Sequence, residues 1–277
     1  MKNATQGVDH YENFPVASFL CPPALRPAIT AIYWFARTAD DIADEGDATP
    51  ARRLADLMDY RADLAACAAG SPASRRWSNV FTPLTRIIQQ YALPVDLLAD
   101  LLSAFEQDVV KTRYASQAEL LDYCRRSANP VGRLLLHLYK VNDALSLEQS
   151  DSICTALQLI NFWQDLGVDI PRGRIYLPKD GFVQNGVSEA QLLHLELNPS
   201  TTALIAANVA WAKTLMQRGA PLAKKVPGRA GWELRLVVQG GLRIAEKIEQ
   251  LQFATFRQRP KLKAWDGVVM LWRAVWM

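Results

Sequence analysis

The chain has 277 residues, half of them hydrophobic, with 31 Lys and Arg against 28 Asp and Glu for a formal net charge of +3. That length suits one large domain with a sizeable core, and so mild a charge with no dense Lys/Arg stripe excludes nucleic acid as the expected partner. The four cysteines, Cys21, Cys67, Cys124 and Cys154, form no CxxC pair, and the histidines His10, His137 and His194 are scattered. No zinc site is expected, and the thiols read as reduced, mostly buried small hydrophobes.

In chain order, the opening MKNATQGVDHYENF has no apolar signal core. Beyond it helical periodicity dominates and strand-like alternation is nearly absent. The first helix is expected to hold AIYWFARTADDIAD, Ala31 to Asp44, between the breakers CPP at 21–23 and GDATP at 46–50. Further breakers fall at AGSPAS (69–74), ALP (92–94) and NP (129–130), with apolar periodic stretches such as LLADLLSAFEQDVV between them. Pro130 is expected to kink the helix that follows Tyr123. TALQLINFWQDLGVDI forms another helix, and the longest irregular stretch is expected from about Ile170 to Val187. NPS (198–200) and VPGRAG (226–231) separate the last long helices. The fold class is therefore all-α, one domain over 1–277, with roughly eight to ten helices. No run reaches the ~18 apolar residues that span a bilayer. A cytoplasmic protein is expected, soluble or peripheral at the inner face of the membrane. The tail KAWDGVVMLWRAVWM sets Trp265, Trp272 and Trp276 among aliphatics. It either lies in a membrane interface or packs back on the core.

Residues four apart share a helix face. Tyr33, Arg37, Asp40 and Asp44 make one such face, with Asp41 turned partly away. Gln158, Asn161, Asp165 and Asp169 make a second, 120 residues later. A single DxxxD is usually a solvated face. Two, each set in apolar and aromatic sequence beside an amide or an arginine, point to four carboxylates around one cavity. Their repulsion calls for cations. With no Cys or His among them the ligands are hard oxygens, which suits Mg²⁺ held together with a substrate diphosphate.

Three blocks in this order, AIYWFARTADDIAD, YCRRSANPVG and QLINFWQDLGVDIPRGRIYLP, resemble the signature blocks of the squalene and phytoene synthases, and the likeness runs from about Tyr11 to Pro260. The resemblance implies an isoprenoid synthase helical bundle, the class I terpenoid synthase fold, with a central cavity for prenyl chains. It implies Asp40, Asp44, Asn161, Asp165 and Asp169 as Mg²⁺ ligands. It implies Arg37, Tyr33, Ser18, Gln158, Asn161, Phe162 and Arg174 on the substrate side, and Tyr123 near the carbocation. Each has a plainer alternative. Tyr33 and Tyr123 can be core tyrosines, Ser18 a helix cap, Arg174 and Lys111 surface charges, and Phe162 and Trp163 simple core.

Departures from the common family pattern narrow the reading: Gln164 for Arg, Val168 for Glu, Ala245 for Tyr, and Asn129–Pro130 for small residues. With HYENFPVAS near the start, they resemble the hydroxysqualene synthases of bacterial hopanoid biosynthesis. A cation lost at Gln164 suits a site that takes one diphosphate rather than two. The implied reaction is ionisation of presqualene diphosphate, rearrangement of a cyclopropylcarbinyl cation, and capture by water that Tyr123 or Asn129 orients. Functional coupling to other hopanoid-pathway enzymes goes with it. Two other readings stay open: head-to-head condensation of two prenyl diphosphates to presqualene diphosphate or phytoene, and a non-catalytic assembly factor.

Overall fold

Caps and prolines start the helices where the breakers of the sequence fall. The computed structural model describes residues 21–277. Helix α1 (Arg26–Asp44) carries Pro27 in its first turn, and α2 (Pro50–Ala68) follows Thr49, whose Oγ1 accepts the Arg52 N–H at 3.3 Å. α3 (Ser78–Tyr91) and α4 (Val95–Val110) come next. α5 (Gln117–Ser127) is capped by Ser116 and α7 (Ala144–Gln164) by Asp143, and α6 (Asn129–Leu138) lies between them. α8 (Leu166–Asp169), α9 (Lys179–Asn185) and α10 (Glu189–Leu193) are short. α11 (Pro199–Gly219) begins with a capping box between Asn198 and Thr201. The short α12 (Leu222–Lys225), then α13 (Gly228–Gln250) and α14 (Ala264–Trp276), complete the chain. The described residues form fourteen helices against the eight to ten expected; ten are long, and the four short ones, which the sequence did not signal, fall between 166 and 225.

Two expectations change in detail. Pro130 does not bend one helix but separates two. α5 ends at Ser127, Ala128 leaves the regular path (φ −118°, ψ −47°), and Pro130 sits in the first turn of α6, where its missing N–H costs nothing. The irregular stretch after Ile170 ends at Pro178, because α9 takes up Lys179–Asn185 and stops at Gly186 with φ 63°.

The apolar interior falls into two clusters. One joins α1, α2, α3 and the first half of α4, around Ile32, Phe35, Tyr60 and Phe81. The other surrounds α7 and takes in α5, α11 and α13, around Tyr123, Ile160, Trp163 and Met216. α4 and α6 give residues to both. α7 buries residues on every side, as a helix at the centre of a bundle must. Its neighbour α11 comes close at Gly219, where a Cβ would stand 2.5 Å from the Gln149 carbonyl oxygen.

The tail forms α14, which lies against α13 with Trp265, Trp272 and Trp276 left exposed. No helix among the described residues is long and apolar enough to cross a membrane.

Candidate active site

A cavity of about 530 Å³ opens where the two apolar clusters meet. Charged, aromatic and aliphatic side chains share its wall. Asp40 and Arg37 from α1 face Asn161, Asp165 and Asp169 from the end of α7 and α8, while Leu101, Phe105, Val131 and Leu157 line it as well. Tyr33, Gln158, Phe162, Tyr123 and Arg174 also reach the cavity wall. Asp44 stands at the rim, where its Oδ1 accepts from Arg174 Nη2 at 2.6 Å. The loop after the second acidic pair thus closes onto the first. Ser18 lies outside the described residues.

The first pair sits on an unbroken helix. Arg37, one turn before it, donates to Asp40 at 3.2 Å and Glu45 at 2.6 Å and pairs with Asp41 at 2.7 Å. Arg53 of α2 fixes the end of this helix. Its guanidinium donates to the carbonyls of Ile42 (2.9 Å), Gly46 (2.7 Å) and Ala48 (3.1 Å), so a cation meets the negative end of the helix dipole. Although the Asp40 side chain is half-open, it lies in a recess. Desolvation, against the pull of Arg37, pushes its carboxyl up to about 6.

The second pair straddles a break. α7 ends at Gln164, Asp165 sits at φ −103° and ψ 11°, and α8 starts one residue on. Gly167 lets this turn lie against the chain beyond α13, since a Cβ there would come within 2.6 Å of the Phe256 carbonyl oxygen. Asn161 Nδ2 donates to Asp165 at 3.2 Å. Arg259 grips both oxygens of Asp165, with Nη2 to Oδ2 at 3.1 Å. Desolvation and the neighbouring Asp165 push the Asp169 carboxyl up to about 6.

This arrangement corrects the reading of Gln164 as a lost cation. Its Nε2 donates to the Pro260 carbonyl at 2.7 Å, holding the segment that brings Arg259 to Asp165. The charge absent at 164 arrives from 95 residues further along the chain. Trp163 is fully buried in the core, whereas Phe162 lines the cavity. Asn129 accepts from Thr155 at 2.9 Å and ties α6 to α7, with no place in the cavity wall. Lys111 is a surface charge paired with Glu119. Val168 is exposed and Ala245 is fully buried.

Two further residues of the cavity wall, Asp108 and Tyr176, went unread in the sequence and join Tyr123 and Phe162. Tyr123 Oη donates to Asp108 Oδ2 at 2.8 Å, and the rings of Phe162 and Tyr176 stack at 3.7 Å. Burial pushes the Asp108 carboxyl up to about 7, with the Tyr123 hydrogen bond opposing it. Burial and that same charge hold the Tyr123 phenol far above its ordinary value. Asp108 lies three residues after Phe105 on α4, a spacing that would have put it on the cavity face once α4 was known to line it. The Ser127 hydroxyl, buried at the α5–α6 break and on the cavity wall, has no hydrogen-bond partner among the described residues.

The donor set fits Mg²⁺ in kind. It is carboxylate and amide oxygen throughout, and burial raises the Asp40 and Asp169 carboxyls. No group of three or more His, Cys, Asp or Glu side chains among the described residues is placed to hold a metal ion by itself.

The model of the squalene/phytoene synthase family matches residues 8–266. The hydroxysqualene synthase of Zymomonas mobilis is 44% identical over 170 residues, which are 61% of this chain and 55% of that one, so the match spans about half of that relative's length. The hydroxysqualene synthase of Sinorhizobium fredii is 34% identical over 86% of this chain and 78% of its own. The crystal structure of a squalene synthase from Alicyclobacillus acidocaldarius superimposes with a TM-score of 0.81 at 34% identity, over 88% of this chain and 90% of that one.

Proposed function

The chain belongs to the squalene/phytoene synthase family, and from that premise we propose that it ionises presqualene diphosphate and gives the cation to water, forming hydroxysqualene. The observation that carries this reading is one cavity whose wall sets the carboxylates, Asn161 and two arginines beside aromatic and aliphatic side chains. The names of the two relatives support the choice of product.

In this reading Arg37 and Arg174 face the diphosphate at the mouth. Asp40, Asp44, Asn161, Asp165 and Asp169 hold Mg²⁺, which supplies charge to bind the diphosphate and to stabilise it as it leaves. The bond from carbon to the diphosphate oxygen breaks, and the electron pair leaves with the diphosphate. The faces of Phe162, Tyr123 and Tyr176 lie beside the carbocation and favour it electrostatically. A water oxygen then bonds to carbon and loses its proton, and no reductant enters the balance. Asp108 is the carboxylate nearest to hand for that proton through Tyr123, and the open hydroxyl of Ser127 can hold the water.

Presqualene diphosphate and Mg²⁺ should give an alcohol without NADPH, and oxygen from labelled water should appear in it. Squalene formed only with NADPH would overturn the reading. Arg259 favours a second one: by restoring positive charge at the second pair it removes the objection to binding two diphosphates. Rapid turnover of farnesyl diphosphate alone would select that condensation.

A further inference from the structure

Helix α14 is turned inside out for a protein surface. Its charged residues face the protein. Asp266, 2% exposed, pairs with Arg243 at 2.7 Å and Lys247 at 2.8 Å, and Arg273 pairs with Glu246. Its apolar residues face outward. Trp265 is 70% exposed, Trp272 65% and Trp276 73%, with Val268, Leu271 and Val275 between them. The patch extends at one end to the exposed Trp232. Arg235 lies over the Trp232 ring at 4.7 Å and donates to the Ala274 carbonyl at 3.2 Å. At the other end it is preceded by Leu262 between the exposed Lys261 and Lys263.

A contiguous apolar face of this kind marks a surface that meets something other than water. We propose that α14 is an interfacial helix that docks the protein on a bilayer bearing anionic headgroups. Two observations choose the lipid. Tryptophan in three of the outward positions is the composition of a membrane interface. The charge is complementary: Asp266, the one acidic residue of α14, is turned inward, while Lys261, Lys263 and the exposed Arg257 flank the face. The ion pairs beneath make the helix a rigid platform, so little ordering is needed on contact.

Position gives the docking a use, which rests on the proposed reaction. The segment that enters α14 carries Arg259 and Pro260, which touch Asp165 and Gln164 at the cavity mouth. Ala264, the first residue of α14, is five positions beyond Arg259. A chain so placed brings the mouth near the plane where an oily diphosphate resides.

The test is flotation of the full chain with vesicles of phosphatidylcholine, alone or mixed with phosphatidylglycerol. The chain should float with the mixed vesicles and much less with phosphatidylcholine alone. Trp272→Ser with Trp276→Ser should lower the partition coefficient by roughly tenfold for each tryptophan, with the thermal melt unchanged because both side chains are exposed. Lys261→Gln with Lys263→Gln should reduce the preference for anionic vesicles. No flotation, equal flotation of the tryptophan variant, or a dimer in sedimentation that these substitutions dissolve without any vesicle binding would each overturn the proposal. None of these readouts depends on which reaction the cavity performs.

Discussion

The two acidic pairs share a spacing of four residues and differ in almost everything that aims them. Asp40 and Asp44 stand on a regular helix, with their arginine one turn earlier on the same face. Asp165 and Asp169 straddle a helix break, and their arginine comes from the far end of the chain. The first pair is a local device: helical periodicity alone brings Arg37 to Asp40. The second is a tertiary one, because the turn, Gly167, Gln164 and Arg259 must all be in place before Asp165 points correctly. A motif with one spacing can therefore rest on two kinds of support, and substitutions should tell them apart.

The largest expected effect is on turnover. Asp40→Asn and Asp165→Asn should each lower it by at least ~10²-fold, the scale of one preorganised charge contact. Near-normal activity in both would break the site assignment. Stability should split the pairs. Asp40→Asn removes a desolvated charge and leaves Arg37 its bonds to Asp41 and Glu45, so the melt should hold or rise. Asp165→Asn removes the carboxylate charge that Arg259 grips with two bonds and should cost about 1–2 kcal/mol. Equal costs by chemical denaturation would erase the distinction.

A smaller effect is expected at Gly167→Ala, which touches no carboxylate. The added methyl meets the Phe256 carbonyl and should cost about 1–3 kcal/mol. Turnover should fall too, because Asp165 and Asp169 flank the displaced turn. The equivalent change on the first helix, Asp41→Ala, should leave more activity than Gly167→Ala, and the reverse order would contradict the local-versus-tertiary contrast.

The smallest effect is a slope with pH. Asp40 and Asp169 are raised to about 6 and Asp108 to about 7, above the ~4 of an unfolded aspartate. The folded protein then binds more protons than the unfolded chain between about pH 4 and pH 7. The stability these groups contribute when protonated is lost as pH rises through that window. Metal-free protein should melt lower at about pH 7.5 than at about pH 6, and added Mg²⁺ should recover more at the higher pH. A melting temperature that climbs with pH in the absence of metal would refute the assignment of these three groups.

The same contrast explains what could be read in the sequence. The long helices and most of their boundaries were legible because Pro, Gly and capping residues act on their own few neighbours: Thr49, Asn198 and Pro130 each stand at a helix start. The α4–α5 boundary was not, since KTRYAS carries neither Gly nor Pro. That segment is held extended by remote partners, with the Ile175 N–H donating to Thr112 at 3.0 Å and the Lys179 N–H to Tyr114 at 3.0 Å. Tyr33, Arg37, Gln158 and Asn161 fell on the cavity face because helical spacing put them there. Gln164 was misread because its meaning depends on Pro260 and Arg259, which no spacing connects to it. Asp108 escaped because one carboxylate on an apolar helix has no pattern.

The two apolar clusters make a prediction about cooperativity. Each acidic pair is anchored to a different one, and the cavity at their seam replaces apolar contact with charge and open space. A diphosphate and its ions seated between the pairs would act as a cross-link between two cores that otherwise share only α4 and α6. Ligand should then do more than raise the melting temperature by mass action. It should narrow the transition, so that calorimetric and van't Hoff enthalpies approach one another as the two halves begin to melt as a single unit.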